Sequence, residues 1–253
     1  MNTILAVFYR DYRQRITNIG FMFWDLFAPV AYLLLFGTGF ERALGGGFVV
    51  EGQHFGYATF FLAGVLAMTG FTVAMNTSWT FFMDKDSGIF YELLTYPITR
   101  RQFLIGKVCF NVLLSATGAF LTVLLGAIVM DIPVRWAFLP LTLVIVVFTT
   151  AGWFFWFSFF SVVMRRMDDF NTMTSASYLI LMFFSPMFYP ITGMPGWFSA
   201  LAWVNPMTWQ VDLLRWSLLG IGEPALLVVE AIAFAAFSGI FLALSARAFN
   251  RVA

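Results

Sequence analysis

Long apolar segments separated by short polar ones dominate the chain. A helix needs about 20 apolar residues to cross a bilayer, and inside the bilayer it satisfies its own backbone polar groups. Strands of a membrane barrel would instead alternate over segments of about ten residues, which these runs do not do. The pattern therefore predicts six transmembrane helices. The runs cover residues 19–40, 55–83, 103–130, 136–164, 173–189 and 225–246.

A seventh apolar stretch, residues 197–219, carries Asn205, Pro206, Gln210, Asp212 and Arg215. Polar and ionisable side chains are costly on a lipid-facing helix. We therefore interpret residues 193–220 as a re-entrant hairpin, with two short helices broken between Asn205 and Pro206 that enter the outer leaflet and return. An ordinary span with a proline kink stays open as an alternative, because membrane helices tolerate proline.

The composition places nearly all of the chain in lipid. It is 61% hydrophobic and 11% charged, with a mean hydropathy of +0.86, whereas soluble domains are about 45–50% apolar and about 25% charged. We expect one transmembrane domain over residues 1–253. The first run is longer than the apolar core of a signal peptide, about 7–15 residues, and is expected to be an uncleaved span.

The positive charges predict the orientation. With six crossings and a cytoplasmic N-terminus, all but three of the 14 Lys and Arg residues lie inside, the exceptions being Arg42, Arg135 and Arg215. Basic residues concentrate on the cytoplasmic side. Both termini are thus predicted to be cytoplasmic. A full seventh span would move Arg247 and Arg251 outside, so the charges disfavour it.

The first 17 residues form a basic amphipathic pattern. Such a segment suits a helix that lies in the membrane interface, although a basic leader that only sets the topology is an alternative. Its apolar residues are Ile4, Leu5, Phe8 and Tyr12, and its polar ones are Arg10, Arg13, Gln14 and Arg15.

The loop of residues 84–102 combines charges with a cluster of large apolar residues. Within it, Ile89, Leu93 and Tyr96 follow i, i+4, i+7 spacing, which predicts a short amphipathic helix that ends before Pro97. A free loop gains nothing from such apolar residues. We therefore expect a docking element for a cytoplasmic partner.

Catalytic and metal-binding patterns are lacking in the sequence, so no catalytic, cofactor or metal residues are predicted. Gly106–Lys107 lacks the rest of a phosphate-binding loop. His54 is the single histidine, Cys109 is the single cysteine, and the adjacent Asp168 and Asp169 follow two arginines. A net charge of +1 gives no nucleic-acid footprint.

Acidic residues within the apolar runs are few. Asp25 and Glu230 qualify, and both lie near a run end. A self-sufficient ion-coupled carrier is expected to hold several midspan acids. The pattern therefore disfavours such a carrier. Asp212 and Arg215, spaced i, i+3, are expected to pair with each other.

Two passages resemble the ABC-2 type permeases, the membrane subunits of prokaryotic ATP-binding-cassette exporters, which include nodulation-factor, daunorubicin-resistance and O-antigen export subunits. The first passage runs Tyr91-Glu92-Leu93-Leu94-Thr95-Tyr96-Pro97-Ile98 and continues to Arg100 and Gly106-Lys107. The second runs Phe188-Tyr189-Pro190 and continues through Pro195, Trp203, Asn205-Pro206 and Trp209 to Arg215. Their order and the predicted topology extend the likeness over essentially the full length.

The resemblance implies an all-α domain of six spans with an interface helix and an outer hairpin. It also implies a homodimer of permeases in the prokaryotic cytoplasmic membrane, with two ATPase subunits that bind ATP and Mg. The residues that match the ATPase-coupling segment are Phe90, Tyr91, Glu92, Leu93, Leu94, Pro97, Arg100 and Arg101. Those that match the extracellular gate are Asn205, Pro206, Trp209, Asp212 and Arg215.

Family substrates range from drugs to lipid-linked glycans, so the resemblance identifies no cargo and no substrate-binding residue. Two other classes stay open, a stand-alone secondary carrier or channel and a membrane-embedded transferase. A neighbouring reading frame for a soluble ATPase would favour the exporter.

Overall fold

Helices make up 84% of the computed structural model, which describes residues 3–43, 48–50 and 53–251. The α-helices in these ranges are α1 (Thr3–Thr17), α2 (Ile19–Ala43), α3 (Tyr57–Asp86), α4 (Ile89–Leu93), α5 (Arg100–Val129), α6 (Leu139–Val163), α7 (Met167–Phe183), α8 (Gly196–Val204), α9 (Pro206–Leu219) and α10 (Pro224–Arg251). A short 3₁₀ turn, Trp136–Phe138, leads into α6.

Five helices in the described part of the chain are long and apolar enough to cross a membrane. Their spans are Phe23–Ala43, Tyr57–Asp86, Arg100–Val129, Trp136–Val163 and Pro224–Phe249. The predicted class, an all-α polytopic membrane protein, is therefore confirmed. The remaining predicted run, residues 173–189, is only partly helical, because α7 ends at Phe183 and turns follow.

The third helix, α3, lies at the centre of the bundle. It packs against α2, α5, α6 and α9, and side chains along it such as Phe61 and Phe71 are fully buried. Two glycines bring neighbours close to its backbone. A Cβ at Gly64 would lie 2.7 Å from the Met187 carbonyl oxygen, and one at Gly70 would lie 2.6 Å from the Thr150 hydroxyl. Small residues thus permit the close approach that membrane helices use for packing.

A two-stranded antiparallel hairpin was not predicted. Its strands are β1 (Phe48–Val50) and β2 (Gln53–Phe55), and Phe48 pairs with Phe55. The ladder lies in the connection between α2 and α3. Aromatic and β-branched residues favour such pairing, but three residues are too few for a recognisable sequence pattern.

The break predicted between Asn205 and Pro206 is present. Helix α8 ends at Val204, Asn205 has extended backbone angles (φ −81°, ψ 118°), and α9 begins at Pro206. Proline lacks a backbone N–H and has a φ suited to the first helical position. It therefore starts α9 and cannot continue α8.

Candidate functional site

Helix α4 is anchored by a single buried side chain, that of Phe90. Gly88, in the left-handed region (φ +81°), turns the chain after α3 so that α4 lies beside the end of that helix. The Phe90 ring is 1% exposed. Its centroid lies 5.5 Å from that of Phe81, 5.3 Å from that of Phe103 and 5.9 Å from that of Phe249, all in edge-to-face arrangements.

We call the surrounding group the Phe90 cluster. It consists of Val7, Phe81, Phe90, Phe103, Val162 and Phe249. These residues come from α1, α3, α4, α5, α6 and α10. Phe90 therefore packs in one cluster with side chains from five other helices.

The short helix predicted before Pro97 is present, but it ends at Leu93 and does not include Tyr96. Ile89 is 44% exposed and Tyr96 is 59% exposed, whereas Leu93 packs only partly against the Phe90 cluster. The cause is the length of α4, because a helix of 5 residues ends before Tyr96 can join a common face. Phe90, which the spacing argument left out of the stripe, provides the anchor.

The residues predicted to couple to an ATPase lie around α4 and the start of α5. We call this region the α4 corner. Leu94 packs beside Leu93 against the Phe90 cluster, and Tyr91, Glu92, Pro97 and Arg101 are exposed. They lie just before or at the start of α5. Thr99 and Gln102 form a capping box there, with N···O distances of 3.3 and 3.0 Å.

Arg100 links this corner to the last helix. Its Nη1 donates a hydrogen bond to the backbone carbonyl of Phe249 at 2.6 Å. A charged donor near a helix C-terminus also complements the helix dipole. Arg100 therefore ties the start of α5 to the end of α10, and the exposed side chains of α4 stand next to that junction.

A group of four charges, three of them buried, lies behind α4, and sequence reasoning missed it. Lys107 is 1% exposed, and its Nζ lies 3.2 Å from Asp11 and 3.3 Å from Asp84. Arg10 forms ion pairs with the same two carboxylates. Burial lowers the pKa of Arg10, but the adjacent carboxylates of Asp11 and Asp84 outweigh that effect and raise the pKa above its ordinary value. The four-charge cluster thus joins α1 to α3 and α5.

A second ion pair holds α1 to α2. Arg15 pairs with Asp25, and the Asn76 amide donates to the other Asp25 oxygen at 3.2 Å. Val7 also faces the bundle, against Gly106 of α5. The acid that the sequence placed near a run end therefore has a specific basic partner on the N-terminal helix.

Asn205 joins the hairpin segment to the end of α7. Its Nδ2 donates to the carbonyls of Leu181 and Phe184 at 2.8 and 2.9 Å, and its Oδ1 accepts from the Met207 amide at 2.9 Å. One side chain thus caps α9 and satisfies two carbonyls at the end of another helix. Nearby, the Trp209 indole donates to the Trp203 carbonyl at 2.8 Å.

The predicted pairing of Asp212 with Arg215 is confirmed, at 2.9 Å. Arg215 also donates to the Pro186 carbonyl at 2.7 Å and lies 4.1 Å from the Phe60 ring centroid. Its charge is therefore held inside the protein by an acid, a carbonyl and an aromatic face. The five residues predicted for the gate lie on or at the start of α9.

Metal-binding side chains do not cluster in the part of the chain that the structure describes: no group of three or more His, Cys, Asp and Glu residues is positioned to hold an ion. His54 lies on β2 with its side chain exposed.

Comparison with known proteins identifies relatives that match most of the chain. Residues 2–219 match the family model described as ABC-2 type transporter. The chain is 28% identical over 216 residues to the inner membrane transport permease YadH of Escherichia coli K12, covering 80% of this chain and 79% of YadH. It is 26% identical over 197 residues to ycf38 of Cyanophora paradoxa and 24% identical over 189 residues to ycf38 of Porphyra purpurea. Each ycf38 match covers 74% of this chain but only 64% of the relative.

The family match begins in α1 and continues through the α4 corner and the Asn205 break to the end of α9. It therefore includes both regions that the sequence singled out. The chain belongs to the ABC-2 type transporter family.

Proposed function

We propose that the chain is the transmembrane subunit of an ATP-binding-cassette exporter. It would form the path for a hydrophobic or amphipathic cargo, such as a drug, a lipid or a lipid-linked glycan. A separate cytoplasmic ATPase would bind ATP and Mg and supply the work. The observation that carries the proposal is α4, which presents the exposed Tyr91 and Glu92 to a partner while the buried Phe90 holds it to the bundle.

Because Phe90 anchors α4 to the bundle, α4 is suited to transmit mechanical work from the ATPase to the membrane helices. Closure of the partner ATPases on ATP would push α4, and the push would reach the membrane through Phe90. Because the Phe90 cluster joins the inner ends of the helices, the expected response is a tilt of α3 and α5 that opens a path at the dimer axis. Close-packed aromatic contacts resist compression, so little of the motion is lost locally.

The proposed topology has six crossings, with α7 and the turns after it as the fifth and residues 193–220 as a re-entrant hairpin. Both termini would be cytoplasmic. The contacts of Asn205 and Arg215 support this arrangement, because their polar groups bond to carbonyls of residues 181, 184 and 186 instead of facing lipid. Irregular backbone is tolerated at membrane depth where protein covers it.

The proposed assembly contains two copies of this chain and two ATPase subunits in a prokaryotic cytoplasmic membrane. Large apolar side chains remain exposed on helices that cross the membrane, including Leu35, Ile128 and Ile232 at 71, 67 and 64%. Such faces require lipid or a second copy to cover them. The inner-membrane name of YadH agrees with this location.

Purification of the tagged chain from its host in mild detergent tests the proposal. We expect an ATPase with a phosphate-binding loop to copurify, and the intact complex to have the mass of two permeases and two ATPases. ATP hydrolysis should drive cargo uptake into vesicles that contain the complex. Transport by the chain alone, without nucleotide, would instead establish a stand-alone carrier.

A further inference from the structure

A cavity of about 310 Å³ lies between the segment before α8 and helices α8, α9 and α10. We call it the hairpin cavity. It is within the size range of small-molecule sites, roughly 300–1,000 Å³. Its polar and aromatic walls are formed by Thr192, Ser199, Trp203, Thr208, Asp212 and Glu230.

Two acceptor atoms in the wall of this cavity have no hydrogen-bond partner. They are Oε2 of Glu230 and Oγ1 of Thr208, and the two residues are 2% and 3% exposed. Buried polar atoms are nearly always paired, and an unpaired one is costly. Both atoms can accept a hydrogen bond, so the cavity has the chemistry to receive a donor.

The nearby basic residue is only partly bound to other groups. Arg215 lies within electrostatic reach of Glu230, and its terminal nitrogens donate to Asp212 and Pro186 while its guanidinium covers the Phe60 ring. Its Nε is buried without a hydrogen-bond partner and does not bond to Glu230. Two carboxyl groups therefore share one guanidinium. An ionisable residue at membrane depth normally faces a partner or a ligand path, and Glu230 lines this cavity with no hydrogen bond at its Oε2.

The aromatic wall favours a cation. Trp203 lines the cavity and is 53% exposed, and an indole face attracts ammonium groups. A primary ammonium has three N–H donors, which can serve the Glu230 carboxylate and the Thr208 hydroxyl together. A quaternary ammonium has no such donor, and an alcohol has no charge.

We propose that the hairpin cavity binds a primary ammonium group, held by Glu230 and Thr208 against Trp203. This inference rests on the proposed function in assigning the ammonium to a cargo that leaves through the outer end of the path. Glu230 lies beyond the residues that match the family model, whereas Thr208 and Trp203 lie within them. The same chemistry would admit the amine of a phosphatidylethanolamine headgroup.

Calorimetric titration of n-butylammonium into the full chain in phosphatidylcholine nanodiscs tests the site. We expect saturable binding that is at least roughly tenfold tighter than that of n-butanol or tetramethylammonium, because charge-assisted hydrogen bonds are lost with either. Glu230→Gln should weaken binding by a similar factor. The matched control Glu223→Gln, at an exposed position before the same helix, should leave binding unchanged.

Equal affinity for n-butanol, stronger binding of K⁺ than of n-butylammonium, or full binding by Glu230→Gln would overturn the proposal. Adding phosphatidylethanolamine to the nanodiscs shows whether the ammonium comes from a lipid headgroup or from a cargo. Competition with n-butylammonium would identify a lipid headgroup as the ligand, and unchanged affinity would identify an amine-bearing cargo.

A measurement on the unaltered chain covers the case in which Glu230→Gln does not fold. A hydrophobic carbodiimide should modify Glu230, and n-butylammonium should slow that modification severalfold, as followed by peptide mass. Absence of protection would overturn the site. A chain that copurifies with its ATPase but binds no ammonium refutes this inference alone, whereas a chain that binds ammonium but copurifies with no ATPase refutes the exporter alone.

Discussion

Lys107 and Asp11 are 96 positions apart in sequence, yet the Lys107 ammonium lies 3.2 Å from the Asp11 carboxylate in the buried interior. Through this contact, the N-terminal helix is part of the helix bundle and not a separate surface segment. Asp84, near the end of α3, shares the same ammonium. Ion pairs therefore link the N-terminal helix α1 to α3 and α5, the helices that precede and follow α4.

Replacing Lys107 with Met tests this role. The change keeps most of the side-chain volume but leaves Asp11 and Asp84 with Arg10 as the remaining basic member of the four-charge cluster. Breaking a buried ion pair by removing one partner costs about 3–5 kcal/mol. We expect a clear drop in the thermal midpoint of the purified chain in detergent.

The exposed Arg13 provides the control, since Arg13→Met on α1, the helix that carries Asp11, should leave the midpoint nearly unchanged. Adding Asp11→Asn to Lys107→Met should recover part of the loss, because it removes the carboxylate left without its partner. Equal midpoints for Lys107→Met and Arg13→Met would refute the role.

Phe90→Ala should weaken both the fold and the coupling. Removing a fully buried ring costs about 3–5 kcal/mol, and α4 has no second buried anchor among its described residues. We expect a lower thermal midpoint together with reduced stimulation of the partner ATPase by cargo. Phe90→Leu should retain more of both. Tyr91→Ala removes an exposed ring and should reduce ATPase association without changing the midpoint.

Glu92→Lys isolates the contact with the partner. Glu92 is exposed, so reversing its charge should leave insertion and stability intact while it disrupts docking of the ATPase. We expect ATP hydrolysis to continue without transport in reconstituted vesicles. Asp168→Lys makes the same charge change at an exposed position in the first turn of α7 and should transport normally. Normal transport by Glu92→Lys would contradict the assigned role of α4.

Five of the six predicted spans were predictable because the length and hydropathy of a run are local properties of the sequence. The break at Asn205 was predictable for the same reason, since Asn followed by Pro is a local helix-start signal. The acceptors for the Asn205 amide were not, because they are backbone carbonyls at the end of α7. No sequence pattern identifies a carbonyl as an acceptor for a side chain 21 or 24 residues away.

The α4 corner also contains contacts that could not be predicted from the sequence. Lys107 counted only as one more cytoplasmic charge, because its partners come from two other helices. Ile89 and Tyr96 fitted a helical spacing, but the left-handed turn at Gly88 and the short length of α4 decide which side chain is buried. Spacing predicted that a helix exists here, and tertiary packing selected Phe90 as its anchor.

The proposed topology predicts which side of the membrane single cysteines face. In a Cys109→Ser background, Arg13→Cys and Arg247→Cys should react with an impermeant maleimide only from the cytoplasmic side. Gly196→Cys should react from the outer side, because a Cβ there meets nothing within 4 Å. Labelling of Arg247→Cys from outside would show an odd number of crossings and would reject six.

Asn205 offers the sharpest test of the outer hairpin, because its two functions can be separated. Asn205→Asp keeps the acceptor that caps α9 but loses the amide that donates to Leu181 and Phe184. Asn205→Ala loses both. Each unsatisfied buried group costs about 1–3 kcal/mol and a lost cap costs about 1 kcal/mol.

The carboxylate of Asn205→Asp would also face two carbonyl oxygens, so both variants should be destabilised, and the cap alone should not rescue the aspartate. Midpoints of thermal unfolding in detergent measure the loss, with the exposed Asn171→Ala as the control. If Asn205→Asp is as stable as the unaltered chain, the cap alone matters and α7 is not held by this side chain. If both variants lose stability and also lose transport at temperatures where they remain folded, the junction of α7 and α9 is part of the path itself.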